Sequence, residues 1–447
     1  MARDRQFRRS RNSLGVKMTN LTYPDYSNLC GWNALLPSRS PRPALQQDTT
    51  VDLAVVGAGF TGLAIARRFS ELNPDARVAV IEATTVGEGS SARNSGFTGA
   101  DVLPRNASIE MAEKAKVQSA FFKEAFDWLM QIVRDNAIEC DLQQVGSIRG
   151  AATELGEASL RNVLEVARVN GIAHTTLSRD DIRRHIGSSY YRFGIHMQDT
   201  WLLQPAALIR GLLDALPTPI EVFENTHVSR MRKSDGWILE TPGGIVKTKK
   251  VALATNGFIR KFGYLKSRMA TIYTYAAVTE EIAENRIHEL GESGSWGLLP
   301  SHRLGTTLRR IGRNRLMVRS LYAHEAELDE RDARRNLRDR FERRWPGLKD
   351  VQFEYLWAGT TAFTMNGAPW WGKLDEGLYA SGGCNGSGIT KGTMLGRHLA
   401  ELMLGVGEHT QMATSMGTAS WIAPEPFRSI GFRVVSALES RKAGMEM

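Results

Sequence analysis

A glycine-rich turn between two short apolar runs constrains this chain more than any other feature. Residues 51–56 end in Gly57-Ala58-Gly59-Phe60-Thr61-Gly62, a helical pattern follows, and the second apolar run, residues 78–81, ends at Glu82. In such a unit Gly57 permits the tight turn, Gly59 lets the backbone approach a pyrophosphate, and Gly62 lets the helix pack against the strand. The helix N-terminus attracts phosphate, and the acidic residue accepts hydrogen bonds from a ribose. The pattern predicts a dinucleotide-binding Rossmann-like unit.

A second loop follows Glu82 directly and argues against a nicotinamide cofactor. Its sequence, from Gly87 to Phe97, is Gly-Glu-Gly-Ser-Ser-Ala-Arg-Asn-Ser-Gly-Phe. A nicotinamide-binding domain would continue there with another helix and strand. This loop instead offers backbone N–H groups, hydroxyls and an arginine, which suit a second contact with phosphates and a flavin ribityl chain.

The two loops together resemble the FAD-binding D-amino-acid oxidase superfamily, and within it the branch similar to γ-glutamylputrescine oxidase, from about Tyr23 to Gly405. The resemblance implies an α/β fold (α+β overall), in which a Rossmann-like FAD-binding domain is interleaved with an antiparallel-sheet substrate domain. We expect residues 1–50 to form a basic tail and irregular lead-in. Residues 51–140, 200–261 and 353–447 are assigned to the FAD-binding domain, and residues 141–199 and 262–352 to the substrate domain.

The resemblance also assigns residues to non-covalently bound FAD. Besides the first turn and Glu82, the segments are the 87–97 loop, a strand near Val228, the Ala-Thr-Asn-Gly turn after residue 253, a Trp-x-Gly run and the Gly-rich loop at 382–388. The expected cofactor-binding residues are Gly57, Gly59, Phe60, Thr61, Gly62, Glu82, Ala83, Ser90, Ser91, Ala92, Arg93, Asn94, Ser95, Gly96, Val228, Thr255, Asn256, Gly257, Gly359, Gly383, Asn385, Gly386, Ser387, Gly388, Ile389 and Thr390.

Two departures from the family pattern concern the substrate. Relatives similar to sarcosine oxidase hold a substrate carboxylate with a lysine where this chain has Thr390, which disfavours a short α-amino acid. Lys391 follows, but on a helix it points about 100° away. Ser387 stands where many relatives have histidine. The strand of residues 315–320 resembles the family strand over the flavin, and alternation places Arg319 on the face of residues 315 and 317, where it could hold an anionic group of the substrate. The resemblance thus makes Arg319 and Ser387 the candidate catalytic residues; an exposed or salt-bridged strand arginine is the alternative for Arg319.

Family members oxidise a C–N bond, so the resemblance implies an enzyme acting on an amine or N-substituted amino acid. Hydride passes to flavin N5, the imine hydrolyses to a carbonyl compound and an amine, and O2 reoxidises the flavin with release of hydrogen peroxide. Two alternatives stay open: a dehydrogenase of the same fold that reduces a quinone or a protein, and a flavin-binding protein without turnover.

The composition indicates the class of protein, its partners and its cellular location. With 42% apolar and 23% charged residues, the chain is typical of globular proteins. The first 17 residues carry six of the basic side chains and one aspartate, hence five of the nine net positive charges. This leader is a disordered tail, a polyanion-binding segment, an organellar address or a start-site artefact preceding Met18. Motifs for nucleic-acid binding, metal ligation and membrane spanning are missing, so we expect no such partners and no metal. Three scattered cysteines indicate a reducing, cytoplasmic location; the oligomeric state is left open.

Overall fold

The computed structural model describes residues 21–101, 103 and 108–447, so the basic leader lies outside the described residues. The helices are α1 (Gly31–Ala34), α2 (Phe60–Leu72), α3 (Ala112–Asp135), α4 (Glu154–Val169), α5 (Arg179–Ile186), α6 (Pro205–Asp214), α7 (Glu330–Arg344), α8 (Gly388–Leu404), α9 (Thr410–Met416) and α10 (Phe427–Ala443). No helix in these described ranges combines the length and the apolar content needed to cross a membrane.

Strands of two large sheets alternate along the chain. They are β1 (Thr49–Val56), β2 (Val78–Ile81), β3 (Phe97–Thr98), β4 (Ser147–Ala151), β5 (His174–Ser178), β6 (Phe193–Met197), β7 (Trp201–Leu202), β8 (Ile220–Phe223), β9 (Arg230–Ser234), β10 (Gly236–Thr241), β11 (Gly244–Leu253), β12 (Ala270–Thr279), β13 (Gly297–Pro300), β14 (Thr307–Ile311), β15 (Arg315–His324), β16 (Phe353–Phe363), β17 (Trp370–Asp375) and β18 (Leu378–Gly382). Short 3-10 turns cover Ile109–Met111, Asn256–Phe262, Glu284–Leu290, Pro346–Leu348 and Gly444–Glu446.

The first sheet is the predicted Rossmann-like sheet. Its strands run in the order β17-β18-β11-β1-β2-β8, with β10 and β9 continuing from β11. The strands β18, β11, β1, β2 and β8 are parallel, and Val56 lies beside both Leu253 and Ile81. Because these carboxyl ends coincide, the loops that follow β1, β2 and β11 meet at one edge. The expected α/β fold with a Rossmann-like sheet is therefore confirmed.

The second sheet has the order β16-β12-β15-β14-β13-β4-β6-β5 and is antiparallel except where β13 pairs with β4. All ten residues of β12 are buried, because the strand is covered on both faces. Ala276 and Val278 pack in the core shared with the first sheet. On the opposite face, Tyr275 packs in a core that includes Leu337 and Phe341 of α7.

The start of α7 and the pairing of β16 bear on the boundary between the two sheets. Helix α7 begins at Glu330, because the Asp329 carboxylate accepts the N–H groups of Arg331 and Asp332 as its cap. It ends at Arg344, before Pro346, which cannot continue a helix. The strand β16 pairs with β12 in the second sheet, whereas the sequence analysis assigned residues 353–447 to the FAD-binding domain. The domain boundaries therefore stay a prediction.

The C-terminal segment is anchored to the second sheet by a buried carboxylate. Glu446 accepts hydrogen bonds from the N–H groups of Ala152 and Thr153 and from the Thr153 hydroxyl, at 2.8–2.9 Å. The buried Arg344 guanidinium donates to the carbonyl oxygen of Glu446 at 3.3 Å. These contacts hold α10 across the second sheet.

Helices α2 and α8 pack closely enough to exclude a side chain, which generates a first prediction. A Cβ added at Gly396 of α8 would lie 2.4 Å from the Thr61 carbonyl oxygen, whereas one added at Gly431 of α10 would meet nothing within 4 Å. Alanine favours a helix over glycine by about 0.5–1 kcal/mol at either position. We expect Gly396→Ala nevertheless to lower the free energy of unfolding by about 1–3 kcal/mol, and Gly431→Ala to raise it slightly.

Urea unfolding of both variants measures the difference. If Gly396→Ala were as stable as Gly431→Ala, the two helices would have room to separate and the proposed close contact would be wrong.

Candidate functional site

A cavity of about 1180 Å3 extends from the carboxyl edge of the first sheet to the second sheet and α10. It is lined at one end by the loops after β1, β2 and β11, and at the other by residues of β15 and α10. Of the expected cofactor-binding residues, all except Gly62, Ala92, Gly96 and Gly383 line this cavity, and so do Arg319 and Ser387.

The first glycine turn has the geometry that its sequence predicts. Gly57 adopts a φ of +101°, a conformation that favours glycine. A Cβ added at Gly62 would lie 1.8 Å from the Gly57 carbonyl oxygen. Gly62 therefore lies beneath the turn, away from the cavity, and its role is to let α2 begin directly against the turn. The N-terminus of α2, at Phe60 and Thr61, lines the cavity.

The carboxylate of Glu82 lies at the adjacent strand end, fixed by backbone donors. Its Oε2 accepts the Ala58 N–H at 2.9 Å, and its Oε1 accepts the Thr84 N–H at 3.1 Å. Burial raises the pKa of the Glu82 carboxyl, and these two N–H donors offset part of the rise. The carboxylate is thus oriented within the cavity wall and keeps lone pairs for further donors.

The second loop contacts the first. The Ser91 hydroxyl oxygen accepts the Phe60 N–H at 3.1 Å, and a Cβ added at Gly59 would lie 2.8 Å from that oxygen. Asn94 fixes the loop: its side chain donates to the Ser91 carbonyl oxygen at 2.6 Å and accepts the Gly96 N–H at 2.8 Å. The helix start and the Ser/Asn loop form one continuous surface.

Arg93 differs from the expected phosphate contact. Its guanidinium, in a side chain only 6% exposed, donates to the carbonyl oxygens of Asn28, Glu88 and Ala358 at 2.7–3.0 Å. It also lies 3.9 Å from the centre of the Tyr26 ring. Because these donors point at backbone carbonyls, Arg93 joins the loop to β16 and the lead-in. We therefore assign it a role in positioning the loop.

Three further predicted residues support the cavity from outside it. Ala92 is fully buried. Gly96 has a φ of +73°, and an added Cβ would lie 2.2 Å from the Leu203 carbonyl oxygen. Gly383 donates its N–H to the Asn256 side-chain oxygen at 2.9 Å. Each of them lets the loops approach one another.

The segments near Val228 and Thr255 also line the end of the cavity that is formed by the loops after β1, β2 and β11. Residues 226–229 form no strand of their own, unlike the expectation, and the Val228 carbonyl oxygen accepts the Thr22 hydroxyl at 2.9 Å. The buried Thr255 hydroxyl has no hydrogen-bond partner among the described residues. A buried hydroxyl without a partner is unfavourable. Thr255 lines the cavity, so its hydroxyl fits a bound ligand that offers it a polar group.

The Gly-rich loop before α8 leaves open space in the cavity. Gly386 has a φ of +86°, and a Cβ added at Gly386 or Gly388 would meet nothing within 4 Å. The Ser387 side chain makes no capping hydrogen bond to α8. The N-terminus of this 17-residue helix, with its free N–H groups and partial positive charge, therefore faces the cavity.

Lys391 is a cavity residue that the sequence analysis placed elsewhere. Thr390 donates its hydroxyl to the Gly99 carbonyl oxygen at 2.9 Å, while Lys391, only 7% exposed, also lines the cavity. The cavity extends around the end of α8. Thr390 and Lys391 can therefore both line it, although their side chains point about 100° apart on the helix. Burial lowers the pKa of the Lys391 ammonium, and the nearby Cys384 side chain offsets part of this effect. Among the described residues, no carboxylate forms a salt bridge with Lys391.

The opposite end of the cavity carries Arg319. Its guanidinium lies 5.6 Å from the centre of the Tyr322 ring and forms no salt bridge with any described residue. Arg315, on the same strand, instead pairs with Glu281 and Glu354. A half-buried, unpaired arginine in a cavity wall suits an anionic group.

Helix α10 covers this end, and the sequence analysis did not include it in the site. Phe432, Val435 and Glu439 line the cavity, and Glu439 pairs with Arg303 at 2.8 Å. The spacing of these three residues predicts that they share one face of a helix. It does not indicate which part of the molecule that face covers.

The residues present fit an elongated dinucleotide. One continuous cavity is lined by two helix N-termini, the Ser91 loop and Glu82. Thr255, whose hydroxyl has no partner among the described residues, lines it as well. When bound there, FAD would supply redox chemistry that the side chains lack.

Comparisons with known proteins agree with this geometry. The family described as FAD dependent oxidoreductase matches residues 52–402. The probable oxidoreductase OrdL of Rhizobium meliloti is 25% identical over 425 residues, covering 91% of this chain and 94% of its own length. The γ-glutamylputrescine oxidoreductase of Escherichia coli is 26% identical over 379 residues, covering 83% of this chain and 87% of its own.

Solved structures share the fold. Glycine oxidase from Geobacillus kaustophilus superimposes with a TM-score of 0.71 at 19% identity, over 83% of this chain and 99% of the oxidase. L-proline dehydrogenase from P. horikoshii gives a TM-score of 0.66 at 15% identity, over 85% of this chain and all of that one. Taken with the match over residues 52–402, these observations show that the chain belongs to the D-amino-acid oxidase (DAO) family of FAD-dependent oxidoreductases.

Proposed function

We propose that the protein oxidises a C–N bond in an amine or N-substituted amino acid that carries an anionic group. The observation that supports this proposal best is the unpaired Arg319 guanidinium at the end of the cavity opposite the dinucleotide loops. The similarity to γ-glutamylputrescine oxidoreductase, whose name specifies an amine substrate with a carboxylate, is consistent with it.

The residues of the chain have separate tasks in this proposal. FAD bound in this cavity would supply the acceptor for a hydride from the carbon next to the substrate nitrogen. Glu82 and the two glycine loops hold the adenosine and phosphate groups, and Arg319 orients the substrate through its anionic group. The N-terminus of α8 and Lys391 provide positive charge near the open Gly386–Gly388 loop, which favours negative charge developing there.

Hydride loss converts the amine to an imine, which water hydrolyses to a carbonyl compound and an amine. The electrons then pass to an acceptor, for which we propose O2, giving hydrogen peroxide. The three cysteines are unpaired, which supports a reducing location such as the cytoplasm.

A substrate panel tests the proposed reaction. Under anaerobic conditions, we expect an amine or N-substituted amino acid with a carboxylate to remove the visible absorbance of oxidised FAD. Mixing the reduced protein with air-saturated buffer then distinguishes an oxidase, which regains its absorbance quickly and releases hydrogen peroxide, from a dehydrogenase, which does not. A protein whose FAD no amine or amino acid reduces would contradict the proposal.

The role of Glu82 is tested by cofactor retention. Acid denaturation should release FAD, not FMN, from the wild type, because Glu82 is placed for a ribose that FMN lacks. A hydrogen bond to a charged group contributes about 1.5–3 kcal/mol, so Glu82→Ala should bind FAD about 10- to 150-fold more weakly. The matched control is Glu221→Ala, which removes an exposed carboxylate from the neighbouring strand β8. Equal FAD dissociation constants for the two variants would show that Glu82 makes no cofactor contact.

The role of Arg319 is tested by steady-state kinetics. A charge-assisted contact of about 2–3 kcal/mol corresponds to a change of about 30- to 150-fold, so Arg319→Met should raise KM by that factor while FAD content stays unchanged. Arg315→Met, on the same strand, should leave KM within about twofold of the wild type, because Arg315 pairs with Glu281 and Glu354 and does not line the cavity. An unchanged KM in Arg319→Met would assign Arg319 a structural role.

A further inference from the structure

A cluster of two histidines and a glutamate lies outside the cavity wall. His398 and Glu401 are one turn apart on α8, and His409 immediately precedes α9. One ligand atom from each of the three lies within 4.8 Å of the others, with His398 and Glu401 buried and His409 half-buried. None of the three lines the cavity described above, so the proposed oxidation does not use them.

Two ring nitrogens in this cluster are buried with no partner outside the cluster among the described residues. The Nδ1 of His398, in a side chain 6% exposed, lies 3.3 Å from Glu401 Oε2 and makes no hydrogen bond with any other described residue. The Nδ1 of His409 also has no partner among the described residues. The Nε2 of His409 faces the Val406 carbonyl oxygen at 2.9 Å, which requires a proton on Nε2 and leaves the lone pair on Nδ1.

The carboxylate has one oxygen available. Oε1 of Glu401 accepts from Arg68 at 2.8 Å and lies 3.4 Å from the Arg397 Nε, whereas Oε2 faces His398. Arg397 is compensated in turn by Glu124 at 2.7 Å. Oε2 is therefore the oxygen of Glu401 that can take a further partner.

The surroundings orient these side chains as they do in metal sites. Rings of Phe121 and Trp371 contact His398 and His409 with centroid distances of 5.9 and 5.6 Å. In metal sites, a hydrogen bond such as that between His409 Nε2 and the Val406 carbonyl oxygen fixes the tautomer of the ligating histidine. A set of two imidazoles and one carboxylate is a donor set that Zn2+ prefers, with a fourth position for water.

We propose that His398, Glu401 and His409 bind a divalent zinc-like ion that connects α8 to the segment preceding α9. The absence of short metal-binding motifs led the sequence analysis to expect no metal. Only folding brings His409, which follows the end of α8, back against that helix. Bound in this way, the ion would stabilise the C-terminal part of α8, whose N-terminal end faces the cavity.

The test uses the full-length, FAD-loaded protein. After treatment with EDTA and removal of the chelator, the protein is titrated with ZnCl2, bound zinc is measured by mass spectrometry after gel filtration, and thermal unfolding is followed by circular dichroism. We expect about one zinc per chain and a higher unfolding midpoint with zinc. His398→Gln and His409→Gln should weaken zinc binding at least about tenfold and lose the shift in midpoint.

The matched control is His288→Gln, which removes an exposed histidine outside the cluster and should behave as the wild type does. His409 is half-buried in a loop, so its replacement leaves the cores of both sheets intact and decides the question even if His398→Gln fails to fold. Equal zinc content in His409→Gln and the wild type, or no zinc in the wild type, would overturn the proposal.

Discussion

The contact between α2 and α8 determines how the site is assembled. Gly392 and Gly396 let α8 approach Thr61, the second residue of α2, so closely that any side chain at Gly396 would meet its backbone. As a result two helix N-termini open into the same cavity, each with free N–H groups and a partial positive charge. Such an arrangement is electrostatically unfavourable by itself, and an anionic dinucleotide is the ligand that compensates it.

The charged side chains divide this cavity into regions. Glu82 marks the end at the carboxyl edge of the first sheet, where a ribose would need an acceptor. Lys391 lies beside the start of α8, and Arg319 lies on the second sheet near α10. Because these charges lie on separate elements, the two sheets must keep a fixed arrangement for a cofactor and a substrate to meet. The loop contacts of Arg93 with Ala358 and Asn28 contribute to that arrangement.

The fold class and the cofactor could be predicted from the sequence because both depend on local patterns. The turn at Gly57, the distance to Glu82 and the Ser/Asn loop each lie within a short segment whose conformation its own residues determine. Lys391 and α10 could not be placed in the same way. Whether a helical side chain lines a cavity depends on how far that cavity extends around the helix, and this is determined by residues distant in the chain. The same reason explains Arg93: its residue type suggested an anion, whereas its carbonyl partners come from β16 and the lead-in.

The complete burial of β12 has a consequence for the cooperativity of the molecule. One face of this strand belongs to the core of the first sheet and the other to the core beneath α7, so neither core can be exposed without disrupting the strand they share. We therefore expect the two sheets to unfold together, in spite of the alternation of their segments along the chain. A ligand bound at the loops after β1, β2 and β11 would then stabilise both sheets against unfolding, because it binds only the folded state in which they share β12.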